Sequence, residues 1–399
     1  MYANGLIEDV LPVCLAPLPD EILSSWLVRL AMAHGLKLHT FCVHLFGSRA
    51  IWNRDIDKLA GERVTQVLAA RTRTSIDRVR ETTLIGYRDT LFEEYKLYGA
   101  TAWILPIGVY HRKRTLFGLQ YCPQCLAEDS EPYFRRRWRL AFVCICEKHQ
   151  MSLRDCCPCC EAPVNFHRNE LGDHRKIVAD SLTLCHNCKY DLANPLEGQD
   201  SQPFPVTKME ADFTNKLLQS LVDGFMRVGE NSLVYSHSYF AVLRQMMKIM
   251  RRRSRCIENL RQTITGTDAS TIYLPGITND SHTDVQELRI AERRSLLGLA
   301  RHLLTDYPER FIRLAQKHRI WSSVWLQHLE PKQGREHTSI APFWYWDVVH
   351  THLYRPRYQP SEQEIFNAIK YINSNGGTFN KSILARLLGI AVARYDIPT

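Results

Sequence analysis

The chain has 399 residues, of which 45% are hydrophobic and 23% charged, enough apolar material for two or three domains and too much for wholesale disorder. Lys and Arg number 51 against 42 Asp and Glu, a formal charge of +9, which suits a polyanionic partner without requiring one. Met1 to Leu15 carries two acids and no Lys or Arg, unlike a signal peptide, and no apolar run nears the roughly 20 residues of a membrane span. The expectation is a cytoplasmic protein with no membrane partner, in a reducing compartment where a dense cysteine group means metal rather than disulfides.

In chain order, Pro19-Asp20 opens an amphipathic helix with Ile22, Leu23, Trp26, Leu27, Leu30 and Ala31 at helical spacing. Gly35 ends it, and Leu38 to Phe46 reads as a second helix. Val64, Val67 and Leu68 share one face, Thr72-Arg73-Thr74 breaks the pattern, and Ser75 can cap a helix starting at Ile76 and Val79. Helix, turn and capped helix is the grammar of a helix-turn-helix, and equally of a plain helical hairpin.

Of the 13 cysteines, ten fall between Cys122 and Cys188. Cys14, Cys42 and Cys256 lie outside and are expected to be small buried hydrophobes. Cys122-Pro-Gln-Cys125 and Cys146-Glu-Lys-His149 are two knuckles with the same gap, 20 residues apart. Cys157-Pro-Cys-Cys160 and Cys185-His-Asn-Cys188 are a second set, 24 residues apart. A two-residue gap puts two ligands on one side of a tight loop, and two such loops close a tetrahedron. The pattern predicts two structural zinc ions, one held by Cys122, Cys125, Cys146 and His149, the other by Cys157, Cys160, Cys185 and Cys188. The all-thiolate set alone would also hold iron. Cys156 with Cys159 competes with Cys157 and Cys160; the latter pair is preferred because Pro158 then follows the first ligand as Pro123 follows Cys122. Cys144 lacks the two-residue gap to His149, and His167 and His186 read as solvent-exposed loop histidines. Glu161 and Lys189 stand where such turns favour glycine, so some backbone strain is expected. Short β-hairpins should surround each knuckle.

Asn194 to Val206, with three prolines, reads as a linker. Helical stripes follow: Phe213, Leu217, Leu218, Leu221, Val222 and Phe225, then Phe240, Leu243, Met246, Met247 and Met250, the methionines as core filling. Thr263 to Asp284 has the composition of a flexible stretch. Leu296 to Leu304 is helical and Tyr307-Pro308 breaks it. Ser361-Glu-Gln-Glu364 is a capping box opening a helix that Gly376-Gly377 stops. Lys381 to Leu388 is a further helix, and Ile390 to Thr399 is too short for a full recognition helix, so the terminal unit resembles a truncated helix-turn-helix. The expected division is 1–115 helical, 116–192 tandem zinc module, 207–345 helical and 346–399 a C-terminal helical unit.

Three basic runs stand out: Arg112-Lys113-Arg114, Arg135-Arg136-Arg137-Trp138-Arg139 and Arg251-Arg252-Arg253-Ser254-Arg255. Arginine pairs phosphates bidentately, and Tyr133, Phe134 and Trp138 could stack or pack alongside, so these runs are candidate nucleic-acid contacts; a solvated face is the competing reading. No sequence signature of a nucleophile elbow, a P-loop or a zinc protease is present, and fully ligated zinc offers no activated water, so no catalytic residue and no enzyme activity is expected.

Leu119-Gln-Tyr-Cys-Pro-Gln-Cys125, Trp138-Arg-Leu140, Cys146-Glu-Lys-His149 and Asp155 to Cys160 occur in that order, and the ordered set resembles the TniQ/TnsD family of transposon target-selection proteins. Leu18 to Leu30 looks like that family's N-terminal start, and Leu105-Pro-Ile-Gly108 and Thr74 to Val79 fit it too. The resemblance covers residues 10 to about 192; the helical second half is similar only in broad pattern. It implies a mainly α fold with an N-terminal helix-turn-helix, paired zinc fingers on the eight ligands named above and a helical C-terminal region. It implies target selection in bacterial DNA transposition without catalysis: the protein would bind a DNA site, or dock on a CRISPR-type surveillance complex with guide RNA, and recruit an AAA+ ATPase of the TnsC/TniB kind. The short terminus is a departure from direct base reading through that unit. A zinc-containing transcription regulator would use the same residues but need promoter DNA and no ATPase. A homodimer would follow two-fold symmetry, and no residue marks its interface.

Overall fold

The structure is a computed structural model that describes residues 10–47, 50–96, 98–110, 113–168, 181–194, 205–230, 232–267, 283–327, 329, 341–355, 360–376 and 380–389. It is mainly helical. The N-terminal part consists of α1 (Leu23–Ala33), α2 (Leu38–Phe46), α3 (Ile56–Leu59), α4 (Glu62–Thr72) and α5 (Ile76–Arg80). The predicted amphipathic first helix is instead buried on every side from Leu23 to Ala31, because α2, α3 and the chain around Phe134 all pack on it. Its polar residues are satisfied internally: Ser24 donates to Asp57, Ser25 to Glu21, and Arg29 to Glu21 and Glu131, both at 2.6 Å. Ser75 does cap α5, accepting from the Arg78 amide at 3.3 Å. That helix has only five residues, about one and a half turns, short for an element that reads a DNA groove.

The strands form three small antiparallel hairpins: β1 (Val109–Tyr110) with β2 (Lys113–Arg114), β3 (Ile145–Cys146) with β4 (Met151–Ser152), and β5 (Phe225–Val228) with β6 (Ser232–Tyr235). The expected hairpin is present at the second knuckle. At the first knuckle a helix, α6 (Pro123–Glu128), takes its place. Pro123 at the first helical position suits that start, since its missing amide would have no helical partner there.

The second half contains α7 (Lys208–Asp223), α8 (Ser236–Met250), α9 (Arg255–Thr267), α10 (Ile290–Leu304), α11 (Glu309–Lys317), α12 (Ser322–Trp325) and α13 (Phe343–Leu353). Thr207 and Glu210 form a capping box at the start of α7, and Gly224 in the left-handed conformation ends it, which places Phe225 in a strand rather than on the helical stripe. Val222 is also off the stripe, 79% exposed. Met246, Met247 and Met250 are fully buried, as core filling requires. Thr263 to Thr267 belong to α9, where a flexible stretch was expected; the rest of that stretch to residue 282 and most of the expected linker lie outside the described residues.

One apolar cluster contains residues from Leu11 to Leu353, so the cysteine-rich segment shares its core with helices on both sides. A small second cluster joins α14 (Glu362–Ser374) and α15 (Lys381–Leu388) through Ile372 and Leu384. The Ser361–Glu364 capping box is formed, and Gly389 ends α15; Ile390 to Thr399 lie outside the described residues. Among the described residues no helix is long and apolar enough to cross a membrane. Cys42 is buried as expected, whereas Cys14 and Cys256 are exposed.

Candidate metal centres

The eight predicted ligands gather into two groups, Cys122, Cys125, Cys146 and His149, and Cys157, Cys160, Cys185 and Cys188, each with its donor atoms within 4.8 Å of one another. In the first group Nδ1 of His149 lies 3.3 Å from the sulfurs of Cys122 and Cys125 and 3.6 Å from that of Cys146. Cys125 and Cys146 are 3.6 Å apart, as are Cys157 and Cys188, and Cys160 and Cys185. A zinc–sulfur bond of about 2.3 Å implies tetrahedral edges of about 3.8 Å, so both cages have the dimensions of a zinc site. Four thiols this close, or three and an imidazole, are unstable neighbours once ionised unless a cation sits among them. Two zinc ions fit these donor sets, and neither set leaves an open ligand position.

Local backbone geometry holds each cage. The sulfur of Cys122 caps α6 and accepts from the Cys125 amide at 3.5 Å, and Cys185 accepts from the Asn187 amide at 3.4 Å. Glu161 and Lys189, one residue past their knuckles, have φ of 56° and 63°, the left-handed strain expected of non-glycine residues there. The alternative donors are engaged elsewhere. Cys156 lies 3.3 Å from an Arg289 nitrogen, and Cys144 is buried and donates to the Ala141 carbonyl at 3.6 Å. His167 is not a surface histidine: it is 3% exposed and stacked on Trp52 at 4.9 Å, and burial, with Arg114 and His39 nearby, holds it neutral.

The sequence reading missed Glu128. On α6, one turn after Cys125, it accepts from Nε2 of His149 at 2.9 Å and from Lys148 at 2.7 Å, and these contacts, Lys148 foremost, pull its carboxyl down to about 2. A carboxylate on the far nitrogen fixes the tautomer that leaves Nδ1 free for the metal.

Residues 12–153 match the TniQ family, a span that takes in the whole first cage and stops before the second. Residues 12–153 carry a TniQ domain. That domain supports an association with DNA transposition. No curated protein matches the chain.

Within the TniQ domain the arginine run is turned largely inward, with Arg139 buried and Arg135, Arg136 and Arg137 half-buried. Arg139 is fully buried and donates to Asp55 at 2.5 Å, Asp57 at 3.1 Å and the Leu105 carbonyl at 2.8 Å. Burial opposes ionisation of both acids; Arg139 outweighs it at Asp55, while Asp57, with Asp55 as a second repulsive neighbour, is pushed up. Arg135 pairs with Asp129 at 2.8 Å and lies over the rings of Tyr133 and Trp138. Arg136 lies over Tyr87 beside Asp20, and Arg137 bridges Asp20 and Glu147. Phe134 and Trp138 are core residues, so they stack on no base. Arg114 is buried too, and that burial brings its guanidinium down to about 10; Arg112 and the Lys113 side chain lie outside the described residues. In the third run Arg251 approaches Glu292 at 3.5 Å, Arg252 is half-buried, and Arg253 and Arg255 are exposed. Of the candidate phosphate contacts, Arg135, Arg136 and Arg139 are engaged by buried or half-buried acids and rings, as a guanidinium in the interior requires, and Arg114 is buried near Asp55 and Asp57.

The same device joins the TniQ domain, and the segment just after it, to the second half of the chain. Arg293 is buried and donates to Gln120 at 2.8 Å and to the Ala141 carbonyl at 2.6 Å. Arg289 clasps buried Asp155 with two nitrogens, at 3.0 and 2.9 Å.

Proposed function

We propose that this protein is a non-catalytic target-selection factor of DNA transposition, which engages target DNA or an RNA-guided CRISPR-type complex and recruits an AAA+ ATPase of the TnsC/TniB kind. The match to the TniQ family over residues 12–153 carries the proposal. The closed metal cages support it, since four protein ligands leave a zinc ion no position for water or substrate and give it a structural task. With the central arginine run internal, phosphate contact falls to cations that remain outside, Arg253 and Arg255 among the candidate runs. A helix-turn-helix role for α4 and α5 and a homodimer belong to the same proposal.

The test is a titration of zinc-loaded protein at near-physiological salt against DNA spanning the insertion site of its own element and against scrambled DNA, with co-purification of the ATPase encoded beside it. A preference on the order of a thousandfold identifies a direct site reader. Weak, equal and steeply salt-dependent binding with ATPase capture identifies an adaptor that takes its address from another complex. Neither DNA binding nor ATPase capture overturns the proposal.

A further inference from the structure

A cleft of about 930 Å³ opens between α11 and α13 on one side and the β5–β6 hairpin and α7 on the other, well away from the residues of either metal cage in sequence. Its size is at the upper end of what ligand sites use. One wall is aromatic and acidic. Trp344 stacks on Tyr239 at 6.4 Å and meets Tyr307 edge-on at 5.3 Å, and Phe343 beside it is 75% exposed. Asp347, one turn along α13 from Trp344, and Glu309 line the same wall, and among the described residues neither has an ion pair. Tyr307 is only 4% exposed, and its hydroxyl has no hydrogen-bond partner among the described residues. Leaving a buried hydroxyl unpaired is costly, a cost that a bound group would remove. The opposite wall carries Lys216, Arg227 and Glu230, and the buried Arg301 of α10 also lines the cleft.

We propose that this cleft binds a segment of a partner protein through one basic side chain, an arginine seated between the Trp344 and Phe343 rings and the Asp347 carboxylate. A guanidinium gains from an aromatic ring, from a carboxylate and from a phenol oxygen that accepts its N–H, and Phe343, Trp344, Asp347 and Tyr307 all line this cleft on a chain whose net charge is +9. Burial and the Asp347 charge keep the Tyr307 hydroxyl protonated, so its lone pairs remain available to the ligand. Lys216 and Arg227 disfavour a second cation across the cleft, so the segment should follow its basic anchor with neutral or acidic residues. The inference needs no transposon and stands or falls apart from the function proposed above.

The test uses the full chain labelled with 5-fluorotryptophan, the Trp344 resonance being assigned with Trp344→Phe. The probes are blocked pentapeptides Ser-Ala-X-Glu-Ser, with X arginine or its neutral isostere citrulline. The arginine peptide should shift the Trp344 line saturably, and the citrulline peptide should not. Asp347→Asn should weaken binding about tenfold. Phe343→Ala, at an exposed site that the fold does not need, should weaken it as well, and Arg227→Gln should not. No shift up to about 5 mM peptide, or equal shifts with arginine and citrulline, overturns the proposal.

Discussion

Arg139→Ala separates the two roles an arginine run can have. Removing this side chain leaves Asp55 and Asp57 buried together without the cation that contacts both, and orphans the Leu105 carbonyl. Breaking a buried ion pair from one side costs about 3–5 kcal/mol. Set against a total stability of about 5–15 kcal/mol, that loss should lower the melting temperature by about 10 °C. The assay is a thermal melt followed by near-ultraviolet circular dichroism, with Arg253→Ala as the exposed control, expected to stay within about 0.5 kcal/mol of the parent. A surface phosphate ligand would behave in the opposite way, leaving the melt unchanged and reducing the salt slope of DNA binding by about 0.9 per lost contact. A melting temperature within a degree or two of the parent, combined with such a flattened slope, would refute the internal role.

Glu128→Ala should weaken zinc at the first cage by about tenfold to a hundredfold, because His149 loses the carboxylate that orients it. Chelator competition reads this out with the second cage as internal reference, and equal release from both cages in the variant and the parent would remove Glu128 from the site. Glu210 predicts an acid limb. Burial opposes its ionisation, but two contacts of 2.8 Å from Arg294 outweigh burial and hold its carboxyl below the ordinary 4.5. A depressed carboxyl stabilises the fold above the unfolded value and loses that contribution as pH falls through the folded one. Arg294→Gln should therefore lower stability at pH 7, and the gap to the parent should close as pH falls below the ordinary carboxylate value and through the depressed one; a gap independent of pH would show that Arg294 acts by packing alone.

What could be read from the sequence is what is local in the chain. Paired knuckle ligands lie three residues apart, so their convergence follows from one turn of backbone, and the choice of Cys157 and Cys160 followed from the placing of Pro158. The left-handed Glu161 and Lys189, the Ser75 and Ser361 caps and the buried methionine stripe of α8 are equally matters of a few neighbouring residues. The fate of the arginines was not legible, because a basic run is written the same way whether water, phosphate or protein receives it. Their acids lie 82, 84 and 117 residues away, and only folding brings Asp57, Asp55 and Asp20 to them. The complete burial of α1, the carboxylate behind His149 and the acidic aromatic wall of the cleft were likewise decided by tertiary structure. A helix that other segments enclose carries the same local signals as one lying on a surface, and a polar side chain reveals its partner only once the chain has closed around it.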